Sequence, residues 1–204
     1  MKTIRFRTVF FCLLIIMITA LPGFIKPENE KVISDFSLMN TDGKMVSLND
    51  FPGAKGFIVV FTCNHCPFAK LYPPRLNRLY VRYSAMGVPL LAISSTDTLV
   101  YEEDTYPLMV NKAKEEKFNF PYLFDGLQTA AKDFGAQKTP HAFVIWKKHS
   151  EWIIEYSGAI DDNGAEPDQV KHRYVEEAVN SLLKGEPVLT KKTNSIGCQI
   201  KLRQ

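Results

Sequence analysis

The sequence predicts an α/β protein in which helices cover a mixed central β-sheet, with an additional hairpin at the N-terminal side of the sheet. Two observations carry this prediction. Short apolar, strand-like runs alternate with helical stretches in the order β-β-β-α-β-α-(β)α-β-β-α. In addition, Gly56–Phe61 is a continuous apolar run, which is typical of a central strand buried on both faces. The 204 residues suit one domain with extensions, which we place at residues 27–185.

The first two strands are predicted to form the hairpin. Asp35–Leu38 and Met45–Leu48 flank the turn sequence at residues 40–43, and an Asp-Gly pair between two strand-like runs is a strong hairpin signal. After the central strand, a helix is expected from about His65 to Ser84. We expect Pro73-Pro74 to kink it, because proline removes a backbone hydrogen bond inside a helix.

The second half of the chain supplies the remaining elements. They are a strand over Val88–Ile93, a helix over Pro107–Lys117, a strand over Tyr122–Phe124, a helix over Leu127–Phe134, and strands over Ala142–Trp146 and Trp152–Tyr156. The last helix has apolar residues every fourth position from Val170 to Leu182, and we expect Pro167 to open it and Gly185 to end it. Residues 186–204 are expected to form a polar C-terminal tail.

Charge and composition exclude several classes of protein. Hydrophobic residues make up 46% and charged residues 23%, which excludes wholesale disorder and a polytopic membrane protein. The net charge of +3 comes from Lys2, Arg5 and Arg7 near the N-terminus; without them, 22 basic residues balance 22 acidic ones. The remaining chain has no basic field for a phosphate backbone, so we expect no nucleic-acid partner.

The first 26 residues are predicted to be a targeting segment. Three basic residues precede an almost continuous apolar run over Thr8–Leu21. These 14 residues fit the apolar region of a signal peptide and fall short of the roughly 20 residues that span a bilayer. We expect residues 1–26 to be a signal peptide or a membrane anchor. The rest of the chain would then be exported, either periplasmic or anchored facing the extracytoplasmic side.

The chemistry is predicted at Cys63-Asn64-His65-Cys66, directly after the central strand. Two cysteines three positions apart on a first helical turn can close a disulfide. A helix N-terminus and a nearby His65 would both lower the pKa of Cys63 and make the disulfide more oxidising. The competing interpretation is half of a zinc site, but the sequence offers no second Cys-x-x-Cys pair to complete it.

The segment Phe57–Pro67 resembles the active-site segment of the thioredoxin-fold redoxins. A second match is Thr139-Pro140, just before a predicted strand. The resemblance implies that Pro140 follows a cis peptide bond and that Thr139 presents its backbone to a bound substrate chain. In the proposed roles, Cys63 is the attacking thiolate, Cys66 resolves the mixed disulfide, and His65 tunes the electrostatics.

More of the chain is similar to one branch, the peroxiredoxin-like redoxins of the AhpC/TSA type. The similarity covers residues 32–201 and lies in these stretches: Asp35–Leu38, Phe61–Pro67, Phe120–Asp125, Thr139-Pro140, Gly158–Asn163 and Ile196–Lys201. The resemblance implies a thioredoxin-like fold and thiol chemistry without a metal or organic cofactor.

Two positions depart from the family pattern. Peroxiredoxins carry a threonine three residues before the peroxidatic cysteine, and Val60 occupies that position here. Thioredoxins bury an acid six residues before the nucleophile, where this chain has Phe57. The first departure weighs against peroxide reduction, and the second requires another base for release of the mixed disulfide.

Two further residues remain open in the sequence. Cys198 could be a second resolving thiol, a partner for another chain, or a spectator. His141 follows Pro140 and lies either near the site or at a strand start facing solvent. The stretch 161–164 is interpreted as a turn, since it lacks the bidentate glutamate of a calcium loop.

The function predicted from these residues is that of an exported thiol–disulfide oxidoreductase. It would act on protein thiols or disulfides, or on small thiols, and a membrane or periplasmic thiol would be its electron donor. The direction stays open, because His65 favours an oxidant whereas resemblance to tethered redoxins favours a reductant. One alternative is a thiol peroxidase based on Cys63. Another is a Cu(I)-delivery module using Cys63, Cys66 and His141.

Overall fold

The computed structural model describes residues 30–203 and contains a mixed sheet flanked by helices. Its strands are β1 (Val32–Ile33), β2 (Ser37–Asn40), β3 (Met45–Ser47), β4 (Gly56–Phe61), β5 (Leu90–Ser94), β6 (Tyr122–Phe124), β7 (Lys138–Thr139), β8 (His141–Lys148), β9 (Glu151–Gly158) and β10 (Cys198–Gln199). Its helices are α1 (Pro73–Tyr83), α2 (Tyr106–Glu115), α3 (Thr129–Phe134) and α4 (Tyr174–Leu183). The predicted α/β class is confirmed.

The main sheet has the order β1-β9-β8-β4-β5-β6-β2-β3. β4, β5 and β6 run parallel to one another, and β8 runs antiparallel to both of its neighbours, β4 and β9. The β2–β3 hairpin extends the sheet beyond β6. The predicted N-terminal hairpin is therefore present, and its turn contains Gly43 at φ +84°, a backbone conformation that favours glycine. A separate two-stranded sheet pairs β10 with β7.

The central strand β4 separates two apolar cores. Ile58 and Val60 face the core that contains α1 and α4, whereas Phe57, Val59 and Phe61 face the core that contains α3. All six β4 residues are buried. This explains the unbroken apolar run, because a strand covered on both faces has no position left for a polar side chain.

Two predicted helices begin later than expected. α1 starts at Pro73, after a short 3-10 turn over Ala69–Leu71. Pro73-Pro74 therefore starts a helix and does not kink one, because the first helical turn needs no N–H partner within the helix. Likewise, Pro167–Gln169 forms a separate 3-10 turn, and the extended backbone of Val170 ends it. The last helix, α4, therefore begins at Tyr174 and not at Pro167.

The segment after residue 185, expected to be a polar tail, packs along the folded unit as far as residue 203. Val188 and Ile200 are buried in the two cores. Thr193 Oγ1 accepts the Ala159 N–H at 2.9 Å. β10 then pairs antiparallel with β7, and Cys198 lies opposite Thr139. We call residues 186–203 the C-terminal strap.

The predicted targeting segment, residues 1–26, lies outside the described residues. Within residues 30–203, no helix is long and apolar enough to cross a membrane. The signal peptide or anchor stays a prediction from the sequence.

Candidate functional site

The sheet topology brings distant segments to one edge. β4 and β5 are parallel, so the loops that follow them leave the sheet on the same side. The first of these loops carries Cys63 and Cys66. β8 runs antiparallel to β4 and begins at His141 opposite Phe61, which places Thr139-Pro140 at the same edge.

Cys63 is fully buried, and its Sγ lies 3.0 Å from the Thr139 hydroxyl oxygen. The Thr139–Pro140 peptide bond is cis, as the resemblance implies. Burial raises the pKa of the Cys63 thiol to about 12, and the nearby Asp104 charge adds to this, although the Thr139 hydrogen bond acts in the opposite direction. The predicted lowering of the Cys63 pKa is therefore wrong for this structure.

The physical reason is the position of the helix. The first residue of α1 is Pro73, ten residues beyond Cys63. The helix dipole acts mainly within the first turn, so it does not stabilise a thiolate at Cys63. Burial then dominates, because a charged thiolate loses its hydration without gaining an adjacent cation.

Cys66 has a different environment, although it is also fully buried. Its thiol donates to the Thr139 carbonyl oxygen at 3.1 Å, and its Sγ accepts the Cys198 N–H at 3.4 Å. Burial alone would raise the pKa of Cys66, but hydrogen bonds from Cys198 and from the Ala69 backbone outweigh it and lower the pKa. Both thiols of the motif therefore contact Thr139, one at its hydroxyl and one at its carbonyl.

His65 is held by a buried carboxylate that the sequence analysis missed. Asp104 is fully buried, and its Oδ2 lies 2.5 Å from His65 Nδ1. The ring of His65 stacks on Tyr101, with centroids 3.8 Å apart and an interplanar angle of 5°. Within the described residues, His65 Nε2 is buried without a hydrogen-bond partner. The Nδ1 side of the His65 ring is thus directed at Asp104.

Asp104 also fixes the backbone of the cysteine loop. Its Oδ1 accepts the N–H of Asn64 at 2.5 Å and that of His65 at 3.3 Å. The Asn64 side chain donates to the Glu103 carbonyl at 2.7 Å and accepts from the Tyr122 hydroxyl at 3.0 Å. A signal for Asp104 existed in the sequence, because the acidic run at residues 102–104 lies in the loop after the strand parallel to β4.

The two departures from the family pattern have structural counterparts. Val60 and Phe57 are fully buried on opposite faces of β4, so both are core residues. A hydroxyl and a buried carboxylate nevertheless lie close to Cys63. They come from Thr139 and Asp104, which are on other segments of the chain.

His141 is a buried core residue, neither facing solvent nor aimed at the thiols. Its Nε2 lies 3.0 Å from Ser157 Oγ, and its Nδ1 accepts the Gln137 N–H at 3.3 Å. Burial lowers the pKa of His141 to about 4, and the charges of Lys138 and Lys192 contribute. Because both ring nitrogens have partners, the copper ligand set of Cys63, Cys66 and His141 is not assembled.

A different donor set does converge. Ligand atoms of Cys63, His65 and Asp104 all lie within 4.8 Å of one another. A thiolate, an imidazole and a carboxylate are donors that zinc accepts in proteins. In this structure, however, the Asp104 carboxylate already has hydrogen-bond partners in the His65 ring and the loop backbone, so its oxygens are satisfied without a metal.

Two clefts of about 500 Å³ open on other parts of the surface. One is lined by basic residues of α1, including Arg75, Arg78 and Arg82, and the other lies beside Phe51 and Tyr80. None of the three thiols in residues 30–203 lines either cleft. Cys63 and Cys66 lie instead in a buried cluster against which Cys198 of the C-terminal strap packs.

Comparison with known proteins places this arrangement among redoxins. The model of the AhpC/TSA family matches residues 30–160. The thiol-disulfide oxidoreductase ResA of Bacillus thuringiensis subsp. konkukian is 28% identical over 133 residues, which cover 65% of this chain and 72% of that protein.

Solved structures support the same fold. A hypothetical protein from Sinorhizobium meliloti is 31% identical and superposes with a TM-score of 0.78, covering 87% of this chain and 96% of its own. The pneumococcal exposed lipoprotein thioredoxin from Streptococcus pneumoniae is 18% identical, with a TM-score of 0.54 and coverage of 74% and 99%. The latter likeness shows the fold alone, and it confirms the predicted thioredoxin-like architecture.

Proposed function

Because the chain belongs to the AhpC/TSA family and is a thioredoxin-like thiol-disulfide oxidoreductase, we propose that Cys63 and Cys66 form its dithiol–disulfide couple. The observation that carries this proposal is the convergence of both thiols on Thr139, the residue before the cis-proline. The proposed substrates are disulfides of other proteins or of small thiols.

In the first step, the Cys63 thiolate attacks one sulfur of a substrate disulfide. A bond forms between Cys63 and that sulfur, the substrate S–S bond breaks, and the second substrate sulfur leaves as a thiolate that takes up a proton. The Thr139 hydroxyl, 3.0 Å from Cys63 Sγ, donates to the attacking thiolate.

In the second step, Cys66 attacks the Cys63 sulfur of the mixed disulfide. The Cys63–Cys66 disulfide forms and the remaining substrate sulfur leaves as a thiolate, so two electrons pass from the dithiol to the substrate. The lowered pKa of Cys66 suits this role, since a larger thiolate fraction is available to resolve the intermediate.

The Cys63 proton needs an acceptor before the first step. Asp104 and His65 have atoms within 4.8 Å of Cys63 Sγ, and they are linked to each other at 2.5 Å. We assign the proton to this carboxylate–imidazole pair, which then replaces the buried acid of other thioredoxins. An acceptor is needed because burial holds the pKa of Cys63 high.

The same environment favours the reducing direction. A disulfide couple is strongly oxidising when its thiolate form is stabilised. Cys63 lacks such stabilisation, because burial raises its pKa and His65 Nδ1 faces Asp104. We therefore propose a reductant.

Export is part of the proposal. It rests on the basic and then apolar composition of residues 1–26. The Cys63–Cys66 disulfide of an extracytoplasmic reductant must be reduced again after each turnover, so we propose a thiol of a membrane or periplasmic protein as electron donor.

The direct test is disulfide reduction by the full-length chain with single cysteine replacements. Cys63→Ser should abolish turnover, and Cys66→Ser should accumulate mixed disulfides with the substrate protein, detected by mass. Full dithiol turnover by Cys66→Ser would overturn the two-cysteine mechanism. Rapid consumption of hydrogen peroxide that depends on Cys63, without disulfide reduction, would instead favour the peroxidase alternative.

A further inference from the structure

A third thiol lies beside the proposed couple. We propose that Cys198 is a redox-active cysteine that exchanges with Cys66 and gives the external electron donor access to the buried disulfide. This inference rests on the proposed function and adds the residue through which the couple is recharged. Neither the family match, which ends at residue 160, nor the motif itself includes Cys198.

The contact between the two cysteines is direct. The Cys198 N–H donates to Cys66 Sγ at 3.4 Å, and the Cys198 thiol is itself a hydrogen-bond partner of Cys66. Cys63, Cys66 and Ala69 form a small buried cluster against which Cys198 packs. A thiol in this position is within reach of the sulfur that it would attack.

Exposure distinguishes the three thiols. Cys63 and Cys66 are each 0% exposed, whereas Cys198 is partly exposed. In this conformation, a donor protein cannot touch the Cys63–Cys66 pair, and the attack of Cys63 on a substrate disulfide requires β10 of the C-terminal strap to leave β7. Of the three thiols that the structure describes, Cys198 is the one that presents surface, so exchange through Cys198 connects the buried pair with solvent.

The C-terminal strap holds Cys198 at this place through several contacts. A Cβ added at Gly197 would lie 2.0 Å from the Thr139 carbonyl oxygen, so this close approach requires glycine. On one side, Lys138 Nζ donates to the Ser195 carbonyl at 3.1 Å. On the other, Gln128 Nε2 donates to the Lys201 carbonyl at 2.8 Å.

The strap also occupies the backbone that a substrate chain is expected to use. β10 pairs with β7, with Cys198 opposite Thr139. A substrate chain would add to this sheet edge in the same way, as an extended strand with its cysteine at this register. The protein thus carries its own cysteine at the position where a substrate cysteine would lie.

The proposed exchange balances without any added oxidant. The Cys198 thiolate attacks Cys66 Sγ of the Cys63–Cys66 disulfide, that bond breaks, and Cys63 leaves as a thiolate that takes the proton given up by Cys198. A donor dithiol then attacks Cys198 Sγ of the Cys66–Cys198 disulfide and releases the Cys66 thiolate. The second donor thiol releases Cys198, and the donor leaves as a disulfide.

The test uses the full-length chain with Cys12→Ser, so that only Cys63, Cys66 and Cys198 can form disulfides. In this background, Cys63→Ser is oxidised with excess oxidised dithiothreitol and mapped by mass without reduction. We expect one intramolecular Cys66–Cys198 disulfide, and none when Cys198→Ser is added. If the oxidised Cys63→Ser protein contains no Cys66–Cys198 disulfide, the inference is overturned.

A kinetic arm tests the role in recharging. Reduction of the oxidised couple by a small protein dithiol should slow by about tenfold or more in Cys198→Ser, whereas the exposed neighbour Gln199→Ala should leave the rate unchanged. Equal rates in wild type and Cys198→Ser would overturn the inference.

Gly197→Ala, which leaves every thiol in place, should displace β10 and raise the alkylation rates of Cys63 and Cys66. Unchanged alkylation rates would contradict the covering role of the strap.

These results separate the inference from the proposed function. Suppose that wild-type protein forms the Cys63–Cys66 disulfide but Cys63→Ser forms no Cys66–Cys198 disulfide. The proposed function then stands and the inference about Cys198 is overturned. If wild-type protein forms no Cys63–Cys66 disulfide, the proposed couple is overturned, whether or not Cys198 forms a disulfide.

Discussion

Two of the carboxylates buried within residues 30–203, those of Asp161 and Asp104, have very different partners. Asp161 lies 2.6 Å from the guanidinium of Arg75, which also donates to the Asn163 carbonyl at 2.8 Å. Asp104 is fully buried, and within residues 30–203 the basic side chain that contacts it is that of His65. Arginine stays protonated at any ordinary pH, whereas histidine gains and loses its proton near neutrality.

The contacts of each pair distinguish a structural charge from a chemical one. The Asp161–Arg75 pair joins α1 to the loop after β9, and within the described part of the chain its hydrogen-bond partners include no thiol. The Asp104–His65 pair contacts the backbone of the cysteine loop, and its carboxylate charge raises the pKa of Cys63. A buried acid with a fixed cation stabilises the fold, whereas one with a titratable partner beside a thiol can move a proton.

The largest expected effect breaks the structural pair. Arg75→Met leaves the Asp161 charge buried without its cation, and we expect a loss of about 3–5 kcal/mol in the free energy of unfolding. Denaturant unfolding measures this loss. The control is Arg82→Met, whose ion pair with Glu176 is largely exposed and should contribute less than about 1 kcal/mol. Equal losses in the two variants would contradict the assignment.

The next effect concerns the chemical pair. Asp104→Asn keeps an oxygen that accepts the loop N–H groups but removes the charge, and we expect disulfide turnover to fall about 100-fold. Removal of the charge also lowers the pKa of Cys63, so alkylation of Cys63 at pH 8 should become faster while turnover becomes slower. The exposed neighbour Glu103→Gln serves as control. Turnover within twofold of wild type would show that Asp104 takes no proton.

A third buried group sharpens the comparison because it has no carboxylate partner. His141 has a folded-state pKa of about 4, below the value of about 6.5 in unfolded chains. Between these values the unfolded chain binds a proton that the folded chain does not, so acidification favours unfolding. We expect this group to cost about 2 kcal/mol of stability between pH 7 and pH 5.

Denaturant unfolding of His141→Gln at the two pH values measures this contribution. The variant should lose about 2 kcal/mol less than wild type on acidification. The largely exposed His172→Gln should follow wild type. An identical pH dependence in wild type and His141→Gln would place the titration on other groups.

The smallest effect concerns the ring that stacks on His65. Tyr101→Leu removes this stacking but leaves the Asp104 hydrogen bonds in place. We expect the reduction potential of the couple to change by less than about 30 mV, equivalent to about 1.4 kcal/mol. A larger shift would mean that Tyr101, and not Asp104, determines the electrostatics of His65.

Local patterns predicted much of the fold and half of the site. The strand Gly56–Phe61 is correct to the residue, because burial on both faces produces an unbroken apolar run. The cis bond before Pro140, which the resemblance to redoxins implies, is present, whereas the reactive role of Cys63 and Cys66 stays a prediction.

The remainder depends on contacts between residues far apart in the chain. Asp104 is 39 positions from His65, and Cys198 is 132 positions from Cys66. The acidic run at residues 102–104 marks Asp104 only weakly, and Cys198 has no local signature, so only the sheet topology and the path of the C-terminal strap bring them to the thiols. The pKa of Cys63 was wrongly predicted for the same reason, because burial is a property of the whole fold.

The central claim is a reducing couple formed by Cys63 and Cys66. It is tested most directly by redox titration of the full-length chain carrying Cys12→Ser and Cys198→Ser, in which this pair is the only one left. The account predicts a reversible two-electron transition, with a midpoint near the value of about −270 mV that thioredoxin shows. Failure to form the disulfide, or a midpoint near the value of about −120 mV of strong oxidants, would contradict it.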